Sequence, residues 1–153
     1  LTPWHANVGK RLVKAPRLYL RDSGFVHALL GIGDRDTLLG HPVVGASWEG
    51  FVVENLLVCA PEGVAAHYYR TSGGAEIDLL LTFPSGERWA VEVKHSLAPR
   101  AERGFHAACE DLSPARRFVV YPGAERFPLP ADVEAIPLPE LSVLLHRHAE
   151  VTG

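Results

Sequence analysis

Three carboxylates and a lysine sit where apolar strands leave little room for charge. Glu76-Ile77-Asp78 opens a run that continues Leu79-Leu80-Leu81, and Glu92-Val93-Lys94 closes the next apolar run. An uncompensated carboxylate among such side chains is strongly unfavourable, so these charges need partners. Two opposed carboxylates with Cβ atoms ~5 Å apart repel unless a cation or proton lies between them. Such an oxygen pair suits shared coordination of a hard divalent ion such as Mg²⁺. The alternative is a closed ion-pair network, with Lys94 bridged to Glu76. The residues alone leave both open.

Strand side chains alternate between faces. Ile77, Leu79, Leu81 and Phe83 then share one face, and Glu76, Asp78, Leu80 and Thr82 the other. In the next strand Trp89, Val91 and Val93 oppose Ala90, Glu92 and Lys94. Pro84-Ser85-Gly86 reads as a three-residue hairpin loop with Gly86 in the left-handed position. That loop sets Phe83 opposite Glu87, Asp78 opposite Glu92 and Glu76 opposite Lys94. A loop one residue longer or shorter would turn one strand over and set Asp78 against an apolar residue.

The elements that must position this hairpin follow from periodicity. Trp48, Val52, Leu56 and Cys59 recur at helical spacing, which predicts a helix over 44–60 that carries Glu49 and Glu54. Strands are expected over 64–70, 76–83 and 88–94, then a helix over 101–112 and a strand over 116–121. A short extended piece at 133–136 leads to a last helix over 139–148. Upstream, Leu18-Tyr19-Leu20 reads as a short strand, Asp22 as the N-cap of a helix through Leu30, and 31–42 as loop. The order predicts an α/β fold, a central mixed sheet flanked by helices.

A chain of 153 residues with 47% hydrophobic content suffices for one domain with a sizeable core. The net charge of −3 argues against nucleic-acid binding by bulk electrostatics, while leaving room for a local basic patch. Cys59 and Cys109 match no metal-ligand spacing and read as buried thiols in a reducing, cytoplasmic setting. No apolar run approaches a membrane span, so no membrane partner is expected. The eight histidines are scattered, and none forms a metal pattern. Lys10, Arg11, Lys14 and Arg17 make 1–16 and its edge read as a basic linker, with a nucleic-acid-contacting wing as the sharper alternative. The opening Leu1-Thr2-Pro3-Trp4, without methionine, reads as the interior of a longer protein with a domain upstream.

Asp78, thirteen intervening residues, and Glu92-Val93-Lys94 resemble the PD-(D/E)XK nuclease superfamily, whose core is a helix, a three-strand meander, a helix and a further strand. The resemblance implies a restriction-endonuclease-like fold, metal binding by Asp78 and Glu92, and a Lys94 that orients water or stabilises phosphate charge. Glu49 matches the helix carboxylate that many members add to the metal site. The motif's nominal proline is absent. A longer resemblance runs through Lys14-Ala-Pro-Arg-Leu-Tyr-Leu-Arg-Asp22, Gly45-x3-Glu49, Tyr69-Arg70-Thr-x3-Ala-Glu76-Ile-Asp78 and Glu92-Val-Lys94. Together these look like the nuclease-like domain at the C-terminus of prokaryotic AAA-type ATPases. That implies 1–16 as the end of a winged-helix-like linker and 17–153 as the nuclease-like domain. It also implies an ATPase domain in cis, which alone would bind ATP, since no phosphate loop occurs here.

The activity this implies is Mg²⁺-dependent hydrolysis of DNA or RNA phosphodiesters by Asp78, Glu92, Lys94 and Glu49. The alternative is an inactive nuclease-like domain that binds nucleic acid or protein and regulates the ATPase. Arg70 is a candidate phosphate contact, or a surface pairing residue.

Overall fold

The computed structural model describes residues 1–4, 9–20 and 22–152. Among the described residues seven strands form one mixed sheet in the order β1-β2-β3-β4-β5-β7-β6. They are β1 (Thr2–Pro3), β2 (Ala65–Arg70), β3 (Glu76–Thr82), β4 (Arg88–Val93), β5 (Arg116–Tyr121), β6 (Phe127–Leu129) and β7 (Val133–Pro137). The helices are α1 (Ser23–Leu29), α2 (Arg35–Gly40), α3 (Val44–Cys59), α4 (Arg103–Leu112) and α5 (Leu138–Thr152). The sheet is an antiparallel meander β2-β3-β4 extended by parallel β5 and β7. No helix among the described residues is long and apolar enough to cross a membrane.

Helices α3 and α5 cover one face of the sheet. There Val52, Leu56, Leu141 and Leu145 meet Leu79, Leu81, Trp89, Val91 and Phe118, all fully or almost fully buried. Helix α4 covers the other face with Phe105, Ala108, Cys109 and Leu112 against Ile77, Leu80, Ala90 and Val119. Gly104 lets α4 approach the Thr71–Ala75 turn, since a Cβ there would lie 2.5 Å from the Gly74 carbonyl oxygen.

The hairpin register is the expected one. Leu79 pairs with Val91, Leu81 with Trp89 and Thr82 with Arg88. The Phe83 N–H donates to the Glu87 carbonyl, and Gly86 takes φ +86°. Beyond Leu79 the expected facing pattern changes. Between His67–Leu80 and Tyr69–Ile77 the β2–β3 register shifts by one, so Asp78 and Leu79 together oppose Tyr68. This β-bulge reverses the alternation. Ile77 therefore packs under α4, not beside Leu79 and Leu81 as expected.

Two upstream expectations are corrected. Leu18-Tyr19-Leu20 forms no strand, because Tyr19 turns in to α3 rather than to a sheet neighbour. The 31–42 stretch contains α2, whose N-cap Asp34 accepts from the Thr37 N–H at 2.8 Å. The opening segment lies on the sheet edge: Thr2 and Pro3 pair with His67 and Tyr68, and Leu12 bridges to Thr71. Asp22 caps α1 as expected, accepting from the Phe25 N–H.

Candidate functional site

The site forms where β3 and β4 part. In the hydrogen-bonding rhythm set by Phe83–Glu87, the pairs 81–89, 79–91 and then 77–93 would exchange backbone bonds. At the last of these the Val93 N–H instead donates to the Asp78 carboxylate, at 3.0 Å. Asp78 thus caps the end of its own hairpin, and the strands open there into a cleft of about 260 Å³. Glu49, Glu76, Asp78, Glu92, Lys94 and Glu102 all line it. Residues from α3, β3, β4 and the start of α4 are thereby gathered within one concavity.

The expected opposition of Asp78 and Glu92 on one face of the hairpin is corrected: the bulge turns Asp78 to the α3 side, while Glu92 stays with Ala90 on the α4 side. Asp78 and Glu76 lean to the α3 side, where one guanidinium joins them to Glu49. Arg17 donates to Glu49 at 3.2 Å, to Asp78 at 3.1 Å, and to Glu76 through its second terminal nitrogen. Glu92 and Lys94 lean to the α4 side. Glu92 accepts the Glu102 N–H at 3.2 Å. The expected Glu76–Lys94 pair does not form, because the bulge turns Glu76 toward Arg17. Lys94 lies 2.9 Å from Glu92 and 2.5 Å from Glu102 instead. Arg70 sits cross-strand from Glu76, 3.5 Å away and half exposed.

Burial sets the electrostatics. Glu49 is pushed above the usual carboxylate range, first by burial and then by the Asp78 charge; the Tyr19 hydroxyl, Arg17 and Lys94 partly offset this. Burial likewise raises Glu92, against the pull of Lys94. For Lys94, burial works against the charge, but the hydrogen bonds it donates to Glu102 and Glu92 outweigh it, so it stays a cation. Tyr19 holds Glu49 in place: its hydroxyl donates to the carboxylate at 2.6 Å, and its ring packs over Gly50.

Three residues of the site escaped the sequence reading of chemistry: Arg17, Tyr19 and Glu102. Arg17 and Tyr19 are two apart on an extended segment, hence on one side of it, which was the available signal. Glu102 carried none, as its role depends on where α4 begins.

As oxygen donors, Glu49, Asp78 and Glu92 have the chemistry of a hard-cation site. Two of them, Glu49 and Asp78, already share the Arg17 guanidinium with Glu76, so this part of the cleft holds a cation. As they stand, no three Asp, Glu, His or Cys side chains among the described residues are placed to hold a metal ion. An ion would have to take the place of Arg17.

Residues 44–141 match the family model described as domain of unknown function (DUF4143), and residues 1–36 match a second domain of unknown function (DUF8612). The chain is 45% identical over 142 residues to the uncharacterized protein Rv2008c of Mycobacterium tuberculosis, and equally to an uncharacterized protein of Mycobacterium bovis. Each match covers 92% of this chain and 32% of the relative, so the chain spans about a third of those proteins. No solved structure matches it significantly. The family match covers well over half of the sequence, and the chain belongs to the DUF4143 domain family.

Proposed function

We propose that this domain is a metal-dependent phosphodiesterase module acting on nucleic acid, with a PD-(D/E)XK-like core. One observation carries the reading: Glu49, Asp78, Glu92 and Lys94, spread over three elements, line a single cleft at the parted end of β3 and β4. Asp78, Glu92 and Glu49 would hold Mg²⁺, which when bound lowers the pKa of a water and offsets charge on phosphate. Lys94 remains protonated beside Glu92 and would face the developing negative charge. Glu102 competes for the same ammonium, so substrate has to draw Lys94 away from it. Arg17 is the resident counter-cation that the metal displaces. An ATPase domain joined in cis, where ATP would bind, belongs to the same proposal.

A second reading is favoured by Arg17 itself. One guanidinium already engages Glu49, Asp78 and Glu76, and Lys94 is doubly paired. Such a closed network suits a nuclease-like domain that binds nucleic acid or protein without cutting it, and so regulates its ATPase. Titration calorimetry with Mg²⁺ and Mn²⁺ separates the two, alongside cleavage of single-stranded, duplex and branched DNA by a chain as long as the relatives. Metal binding that Asp78→Ala abolishes, with metal-dependent cleavage, is expected for the first reading. Absence of metal binding refutes it.

A further inference from the structure

A second cleft, of about 480 Å³, lies beside the acidic one, between the Thr71–Ala75 turn and the start of α4. Its wall holds Lys10, Arg11 and Arg103 and no acidic side chain, in a chain whose net charge is −3. Lys10 is anchored to Asp111 at 2.5 Å, whereas Arg11 and Arg103 enter no ion pair among the described residues. Gly74 and Gly104 line both clefts, so at their border only backbone separates basic wall from acidic wall.

We infer that this cleft seats a backbone phosphate of a nucleic-acid strand whose neighbouring phosphodiester lies over Asp78 and Glu92. Guanidiniums with no ion-pair partner among the described residues suit bidentate contact with phosphate oxygens. A polynucleotide is the ligand both clefts serve, one by counter-charge and the other through the cation it holds. The site rests on the nucleic-acid part of the proposed function, not on catalysis.

The test is fluorescence anisotropy of a labelled single-stranded oligonucleotide with the 153-residue chain in EDTA, between 50 and 200 mM salt. Each lost phosphate contact flattens the slope of log K against log salt by about 0.7 for a single strand. Arg11→Ala with Arg103→Ala removes the contacts to that one phosphate, so it should reduce the slope by about 0.7 and weaken binding roughly 8-fold at 50 mM salt. A control pair, Arg35→Ala with Arg147→Ala, should change it little. Wild-type affinity in the Arg11/Arg103 variant, an equal loss in the control, or no binding by the wild type overturns the assignment. Equal competition by a poly-glutamate peptide overturns the choice of ligand. EDTA keeps the metal question outside this assay, so failure here and failure of metal binding are told apart.

Discussion

Replacing Arg17 by glutamine tests what compensates the acidic site. Arg17 is only 20% exposed, and its partners Asp78, Glu49 and Glu76 are 15%, 28% and 32% exposed. Removing one partner of a fully buried pair costs about 3–5 kcal/mol, while fully exposed pairs contribute at most about 1 kcal/mol. This half-sheltered cluster falls between, so Arg17→Gln should destabilise the metal-free protein by about 2 kcal/mol at pH 7. If a divalent ion binds by displacing Arg17, that same free energy opposes binding in the wild type. Apparent metal affinity should then rise roughly 30-fold in the variant. At a hundred times its Kd the ion adds about 2.7 kcal/mol of stability, enough to restore the variant. The sign of the pH dependence follows from Glu49, whose pKa is raised in the fold mainly by burial and held down in part by Arg17. A raised carboxylate favours folding at low pH, and that contribution is lost as pH rises through its folded value. Without Arg17 that value climbs further, so the deficit should shrink as pH falls from 7 toward 5. Urea unfolding with and without Mn²⁺ across this range, with calorimetry at pH 7, reads all three effects. A variant no better stabilised by metal than the wild type would refute displacement.

Asp78→Asn removes a charge but keeps an acceptor for the Val93 N–H, so it should fold within about 1 kcal/mol of the wild type; metal-induced stabilisation, read by thermal melting, should vanish. Gly104→Ala places a Cβ 2.5 Å from the Gly74 carbonyl oxygen. The clash with backbone should outweigh the roughly 1 kcal/mol gained in helix propensity, giving a net loss of about 1–2 kcal/mol in urea unfolding. Cys109 is buried and its thiol is pushed up to about 12 by burial, whereas Cys59 is partly exposed. A disulfide reagent at pH 8 should therefore modify one thiol quickly in the native protein and the second only on unfolding.

The hairpin was legible because three loop residues determine it. Pro84-Ser85-Gly86 admits one register, and with it Leu79–Val91 and Thr82–Arg88. The faces were legible only as far as Leu79. The bulge at Asp78–Leu79 has no glycine to announce it; it is set by where Tyr68 sits in the neighbouring strand. Helix α2 was hidden for a different reason: Gly31 and Gly33 precede it, Gly40 ends it and Pro42 follows, which reads as loop, although Asp34 caps it by accepting from the Thr37 N–H. Arg17 was hidden because distance along a chain says nothing about distance in space. It lies 61 positions before Asp78, in a basic run that reads as solvated linker. Its arrival changes the original choice between a cation site and an ion-pair network. Carboxylates spaced to attract a divalent ion also attract a guanidinium, and a chain able to supply one satisfies the buried charge until an ion competes. On the proposed reading the network and the cation site are two occupancies of one arrangement, and their relative free energy is what Arg17→Gln measures.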